Sequence, residues 1–184
     1  MNTSKEKYFQ KCVDAGLCQK GRELWDKDEK LLAYAKQECE FLIKNKPLTY
    51  KEMLEMYSYS YLASNSIYIS NQIDTLINTN TIEIKDVGYS LILNCTGKIR
   101  VYEPNNIINI ADKSVLDVDI YSQGVITLRI FTDSEINIHI KNNCSVIVFL
   151  YGGKVKEVRG ITEYLKNITL KDLRKKWQSK NITL

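Results

Sequence analysis

The chain has 184 residues, 44% of them apolar, and a net charge of +4; this suits one domain or two small ones and is too apolar for a disordered chain. No stretch approaches the roughly eighteen consecutive apolar residues of a membrane span, and MNTSKEKYFQKC lacks the basic region and apolar run of a secretory leader, so a cytoplasmic location is expected. Five scattered cysteines (Cys12, Cys18, Cys39, Cys95, Cys144) without a CxxC pair fit reduced thiols at core or corner positions better than a disulfide frame or a zinc site.

The first sixty residues read as helices. Tyr8, Phe9, Cys12 and Val13 share one helical face, and Gly16 is placed to close that helix in the left-handed conformation. Leu24, Leu31, Leu32, Ala35, Cys39 and Leu42 then predict one longer helix, with Asp26 and Glu29 near its start, Lys44 and Lys46 at its end, and Pro47 as the stop. Thr49 and Glu52 spell a capping box that opens a third helix through Met53, Leu54 and Tyr57. Between residues 58 and 80 the pattern is ambiguous, and a connector is expected. The YSYSY run there fits a packing seam or a ligand-facing aromatic strip.

Beyond Thr81 the vocabulary turns to Ile, Val, Thr, Asn and Tyr, and strands are expected. Apolar triplets then recur every ten residues: Leu116, Val118, Ile120; Ile126, Leu128, Ile130; Ile136, Ile138, Ile140; Val146, Val148, Leu150. An even period keeps every triplet on one face and sends Asp117, Asp119, Thr127, Arg129, Asn137 and His139 to the other. Ser114, Gly124, Ser134 and Cys144 form a column of small residues at a second fixed phase. A β-solenoid, which stacks like on like, accounts for both columns. An antiparallel meander or sandwich with short hairpins preserves the inward parity and stays open as an alternative.

The basic charge is a property of the C-terminus. Residues 154–184 hold nine Lys or Arg against three acids, so this end is +6 and the remainder −2. Thr169 and Asp172 read as the start of a helix with Leu170, Leu173 and Trp177 on one side. Around it Lys171, Arg174, Lys175, Lys176 and Lys180, with Trp177 among them, form a basic patch that could meet nucleic acid or another acidic partner.

Catalytic signatures are sparse: one histidine, and no HExxH, GxGxxG, GxxxxGK[ST] or GxSxG. No metal site and no cofactor is expected. The best catalytic constellation is Asp117, Asp119, Arg129 and His139 on the outward face. In a two-sided coil of twenty residues Asp119 would stack beside His139 at about 4.8 Å and could do acid and base work on a sugar or an ester. The same residues also suit a solvated strand face. At Ile147, Phe149 and Tyr151 the outward positions turn apolar, which marks an interaction surface to be covered by a C-terminal helix or another subunit.

On the SVLDVDIYSQGVITLRIFTDSEINIHIKNNCSVIVFL pattern, residues 81–153 resemble short, uncharacterised β-solenoid proteins with a helical N-terminal piece, of the kind encoded by bacteriophages and bacterial mobile elements. The resemblance implies a structural or adaptor role, no catalytic residues, and a cytoplasmic or virion-associated location. The expected α+β architecture is a helical domain 1–61, a connector 62–80, a β-solenoid 81–160 of about ten residues per strand-turn unit, and a basic capping helix 161–184. The expected function is that of a non-enzymatic structural or protein-interaction protein in a homo-oligomer or larger assembly, away from membranes. A small carbohydrate-active or hydrolytic enzyme and a nucleic-acid binder are the alternatives.

Overall fold

The structure is a computed structural model that describes residues 3–69 and 81–175. It divides into two compact units, residues 1–69 and 70–184. The first holds α1 (Thr3–Asp14), α2 (Gln19–Leu24), α3 (Asp28–Gln37), α4 (Glu40–Asn45), α5 (Tyr50–Met56), α6 (Tyr59–Ser64) and a short strand, β1 (Ile67–Ile69).

Gly16 follows α1 at φ +93, the left-handed closure expected of it. The capping box on α5 is present in full: Thr49 Oγ1 accepts from the Glu52 amide, and Glu52 Oε2 accepts from the Thr49 amide. Tyr8, Cys12, Leu17, Leu24, Trp25, Leu31 and Leu48 build the core, with the Phe9 and Trp25 rings 5.1 Å apart. The single helix expected over residues 24–42 is instead three. Non-helical backbone at Lys27 and Glu38 breaks it, and the second break rotates the apolar face by one position, so that Ile43 is buried where Leu42 was expected. Residues 59–69, read as part of a connector, form α6 and β1, with Ser58 capping α6 through the Tyr61 amide. Tyr57 and Tyr61 stack at 5.8 Å.

The second unit is a parallel β-solenoid. Its strands are β2 (Thr81–Ile84), β3 (Gly88–Leu93), β4 (Thr96–Val101), β5 (Asn106–Ala111), β6 (Val115–Ile120), β7 (Val125–Phe131), β8 (Glu135–Ile140), β9 (Ser145–Tyr151), β10 (Lys154–Gly160) and, after the one-turn α7 (Thr162–Leu165), β11 (Ile168–Asp172). Even-numbered strands pair in the order β10-β8-β6-β4-β2, and the odd-numbered strands from β3 to β11 form the second sheet. Every ladder within the unit is parallel, which rules out the antiparallel meander. Two strand-turn units of ten residues therefore make one coil: Leu116 lies on Ile136 and Ile126 on Val146.

The apolar triplets of both sheets meet between them. Val118, Ile120, Ile126, Leu128, Ile130, Ile138, Val146 and Val148 are fully buried, each contributing about 1.5–3 kcal/mol of burial. The column of small residues splits by corner, as a two-sided coil requires. At one corner Ser114 Oγ accepts from the Cys95 amide at 3.0 Å and donates to the Ala111 carbonyl at 2.7 Å, while Ser134 Oγ accepts from the Ser114 amide at 3.2 Å. At the other, the Ser145 amide donates to the Gly124 carbonyl, and a Cβ on Gly124 would lie 2.3 Å from Pro104 Cβ. Asn94, Asp112, Lys113, Thr132 and Asp133 take positive φ where the chain turns at the serine corner.

Of the C-terminal helix expected over residues 161–184, the described residues show one turn, α7, and the continuation is corrected. Ile168–Asp172 is strand β11, register-paired with β9, so Leu170 lies on Val148. The coil continues because Ile168 and Leu170 alternate with Thr169 and Lys171, as in the rungs below; the helical reading required Thr169 to cap rather than pair. Trp177, Lys176 and Lys180 lie outside the described residues.

Candidate functional site on the outer faces of the coil stack

The two sheets present different outward chemistry. On the even-numbered sheet one column runs Glu83, Arg100, Asp119, His139, Arg159, and its neighbour runs Lys98, Asp117, Asn137, Glu157. Opposite charges in adjacent rungs lie within reach of one another. Asp119 is at the centre, only 4% exposed. Its Oδ1 lies 2.9 Å from His139 Nδ1, and its Oδ2 lies 3.5 Å from Lys98 Nζ. Asn137 Nδ2 donates to Asp117 Oδ1 at 2.8 Å, Arg100 lies 3.7 Å from Glu83, and Arg159 Nε lies 2.6 Å from Glu157. Arg159 holds the Glu157 carboxyl below the usual carboxylate range, and Lys85 does the same for Glu83.

Of the four candidate catalytic residues, the coil brings Asp119 and His139 into contact and sets Asp117 in the next column. Arg129 belongs to the other sheet, because positions ten residues apart fall on opposite sides of the coil. Sequence reasoning missed Lys98, Arg100 and Arg159. The coil from β4 to β6 is nineteen residues, with Arg100 on Asp119, so a strict ten-residue grid misaligns it. Arg159 was counted only among the basic charges of residues 154–184, although it falls inside the solenoid expected over 81–160; its spacing of twenty from His139 was the available signal. As an ionised carboxylate can only accept, Nδ1 of His139 carries the shared proton and Nε2 is left for acid or base work. Among the described residues no hydroxyl or thiol hydrogen-bonds to His139, and no cluster of three or more His, Cys, Asp or Glu could hold a metal ion.

The odd-numbered sheet carries a mixture of apolar, aromatic and polar residues at its outward positions, of which Leu91 and Asn109 are fully buried. One column reads Tyr89, Ile107, Thr127, Ile147, Thr169; the next reads Leu91, Asn109, Arg129, Phe149, Lys171. Ile147, Phe149 and Tyr151 are half-buried. They are not the last row: β11 flanks them in the same sheet, and Lys171 Nζ sits 5.5 Å from the centre of the Phe149 ring. Phe131 and Tyr151 stack at 4.7 Å. Of the basic patch, Lys171, Arg174 and Lys175 are described and exposed, Arg174 being paired with Asp172. No helix among the described residues is long and apolar enough to cross a membrane.

Comparison with protein-family models, with curated proteins and with solved structures finds no match to this chain.

Proposed function

We propose that this protein is a non-enzymatic interaction or assembly module whose coil stack presents the odd-numbered sheet to a second copy or a larger assembly. A contrast between the two outer faces supports this reading: the even-numbered sheet is lined by charged columns joined by ion pairs, while Ile147, Phe149 and Tyr151 form a row of half-buried apolar and aromatic side chains on the other. The resemblance of residues 81–153 to bacteriophage and mobile-element solenoids would make such a module an adaptor in the cytoplasm or on a virion. Light scattering after size exclusion tests it. A mass above the 21.3 kDa of one chain, reduced to one chain by Ile147→Asp with circular dichroism unchanged, supports the module. A single-chain mass at every concentration, with no larger assembly formed, removes it.

The Asp119–His139 hydrogen bond favours a second reading, hydrolysis with His139 as general base and Asp119 as the residue that orients it. Turnover of nitrophenyl esters or glycosides that is abolished in His139→Ala supports this reading; turnover that survives the substitution contradicts it.

A further inference from the structure

The last coil ends with two open strand edges. β10 and β11 terminate their sheets, so among the described residues no strand pairs with the outer edge of either. The inward columns also end open. Ile136, Ile138, Val146 and Val148 are buried, but the residues lying on them, Val155, Val158 and Ile168, are half-buried and Leu170 is 52% exposed. Ile161, between the two strands, is 61% exposed. Unpaired main-chain groups beside an open apolar layer are the ingredients of strand addition.

Charge selects the occupant. Residues 154–175 carry Lys154, Lys156, Arg159, Lys166, Lys171, Arg174 and Lys175 against Glu157, Glu163 and Asp172, seven minus three, or +4. Lys154 and Lys156 pair with Glu135, Arg159 with Glu157 and Arg174 with Asp172, so the cations around β11 that these pairs do not use are Lys166, Lys171 and Lys175. Two such ends repel, which disfavours a second copy meeting end to end. A head-to-tail copy finds no complement either, because residues 81–101 carry Lys85, Lys98 and Arg100 against Glu83 and Asp86, a net +1. Nucleic acid would meet the cations but leave the strand's amides and carbonyls without a main-chain partner.

We propose that the free edge of β11 docks an extended acidic segment of another protein. The segment adds as one more parallel or antiparallel rung, its apolar residues lie over Ile168 and Leu170, and its alternate carboxylates face Lys171, with Lys166 and Lys175 at the two ends of the strand. This deepens the interaction reading but uses the outer edge of β11 rather than the outward face of β9, which adjoins it through Lys171 and Phe149; the two are told apart by their readouts, peptide binding for the edge and solution mass for the face.

The test is fluorescence anisotropy of the full chain with a labelled Glu-Val-Glu-Ile-Glu-Val peptide, beside its Lys-for-Glu counterpart and a version with proline at the centre. Saturable binding of the acidic peptide alone is expected. Lys171→Glu is expected to weaken it about two- to fivefold, the usual weight of one exposed ion pair, and Ile107→Asp, in the same outward column but on β5, should leave it unchanged. Absence of saturable binding overturns the proposal. So does equal binding of the proline peptide, which would mean charge attraction without strand pairing, or displacement of the peptide by single-stranded DNA at lower concentration.

Discussion

His139 Nδ1 and Asp119 Oδ1 lie 2.9 Å apart although twenty residues separate them, because each occupies the same position of its own coil. The Asp119 carboxylate is almost wholly withdrawn from water, with His139 Nδ1 at 2.9 Å and the Lys98 ammonium at 3.5 Å. Asp119→Ala is expected to destabilise the solenoid by about 1.5–3 kcal/mol, and His139→Ala by less, since Lys98 remains. A double-mutant cycle by denaturant unfolding should give a coupling of about 1 kcal/mol; strictly additive changes would show that the pair does not interact.

The serine corner makes a second, independent prediction. Ser114 Oγ accepts from the buried Cys95 amide and donates to the Ala111 carbonyl, so Ser114→Ala removes two buried hydrogen bonds at once. The expected loss is about 1–3 kcal/mol, read as a lower midpoint in urea with an unchanged slope. Asp117→Ala, half-exposed on the adjacent strand, serves as the comparison and should shift the midpoint less.

The five cysteines differ in reactivity. Cys18 is exposed, and its hydrogen bond with the Tyr34 hydroxyl at 3.1 Å lowers its thiol pKa, while burial raises Cys12 to about 11 and also raises Cys144. The thiolate is the reacting form. Mass spectrometry after brief iodoacetamide treatment at neutral pH should find Cys18 modified first, and Tyr34→Phe should slow that reaction. Early modification of Cys12 or Cys144 would contradict the packing described.

Acid should weaken the helical unit. Hydrogen bonds from Lys11 first, and then from the Thr49 amide, lower the Glu52 pKa from 4.5 to about 2. A carboxyl depressed on folding stabilises above its unfolded value and loses that contribution as pH falls through its folded value. Stability should therefore decline between pH 5 and about 2, and Glu52→Gln should flatten the decline while lowering stability at neutral pH. Thr49→Ala removes the other half of the box and should cost about 1 kcal/mol.

The solenoid was legible because its signal is redundant: four triplets and a small column obey one period, and a coil of twenty preserves both. What the period conceals is which residues share a side. Asp119 and Arg129 are ten apart and lie on different sheets, whereas Arg100 and Asp119 are nineteen apart and adjacent. Only the coil length, which the turns set, separates these cases. β11 was missed because the Thr169 and Asp172 spacing imitates a helix start, while the evidence for pairing resides in a distant strand, β9. The break at Glu38 likewise has no local breaker residue; tertiary burial of Cys39 and Ile43 accompanies it.

Like-on-like stacking of successive coils underlies the placements made in the solenoid, and one cross-linking measurement addresses it. With Cys18 replaced by Ser, Asp117→Cys paired with Asn137→Cys puts thiols on register partners, within the Cα separation a disulfide accepts. Asp119→Cys with Thr127→Cys puts them where an antiparallel hairpin would bring them together, and where the solenoid keeps them on opposite sheets. Under mild oxidation the 117–137 disulfide should form intramolecularly and the 119–127 disulfide should not. The reverse outcome would contradict the parallel stack and everything placed upon it.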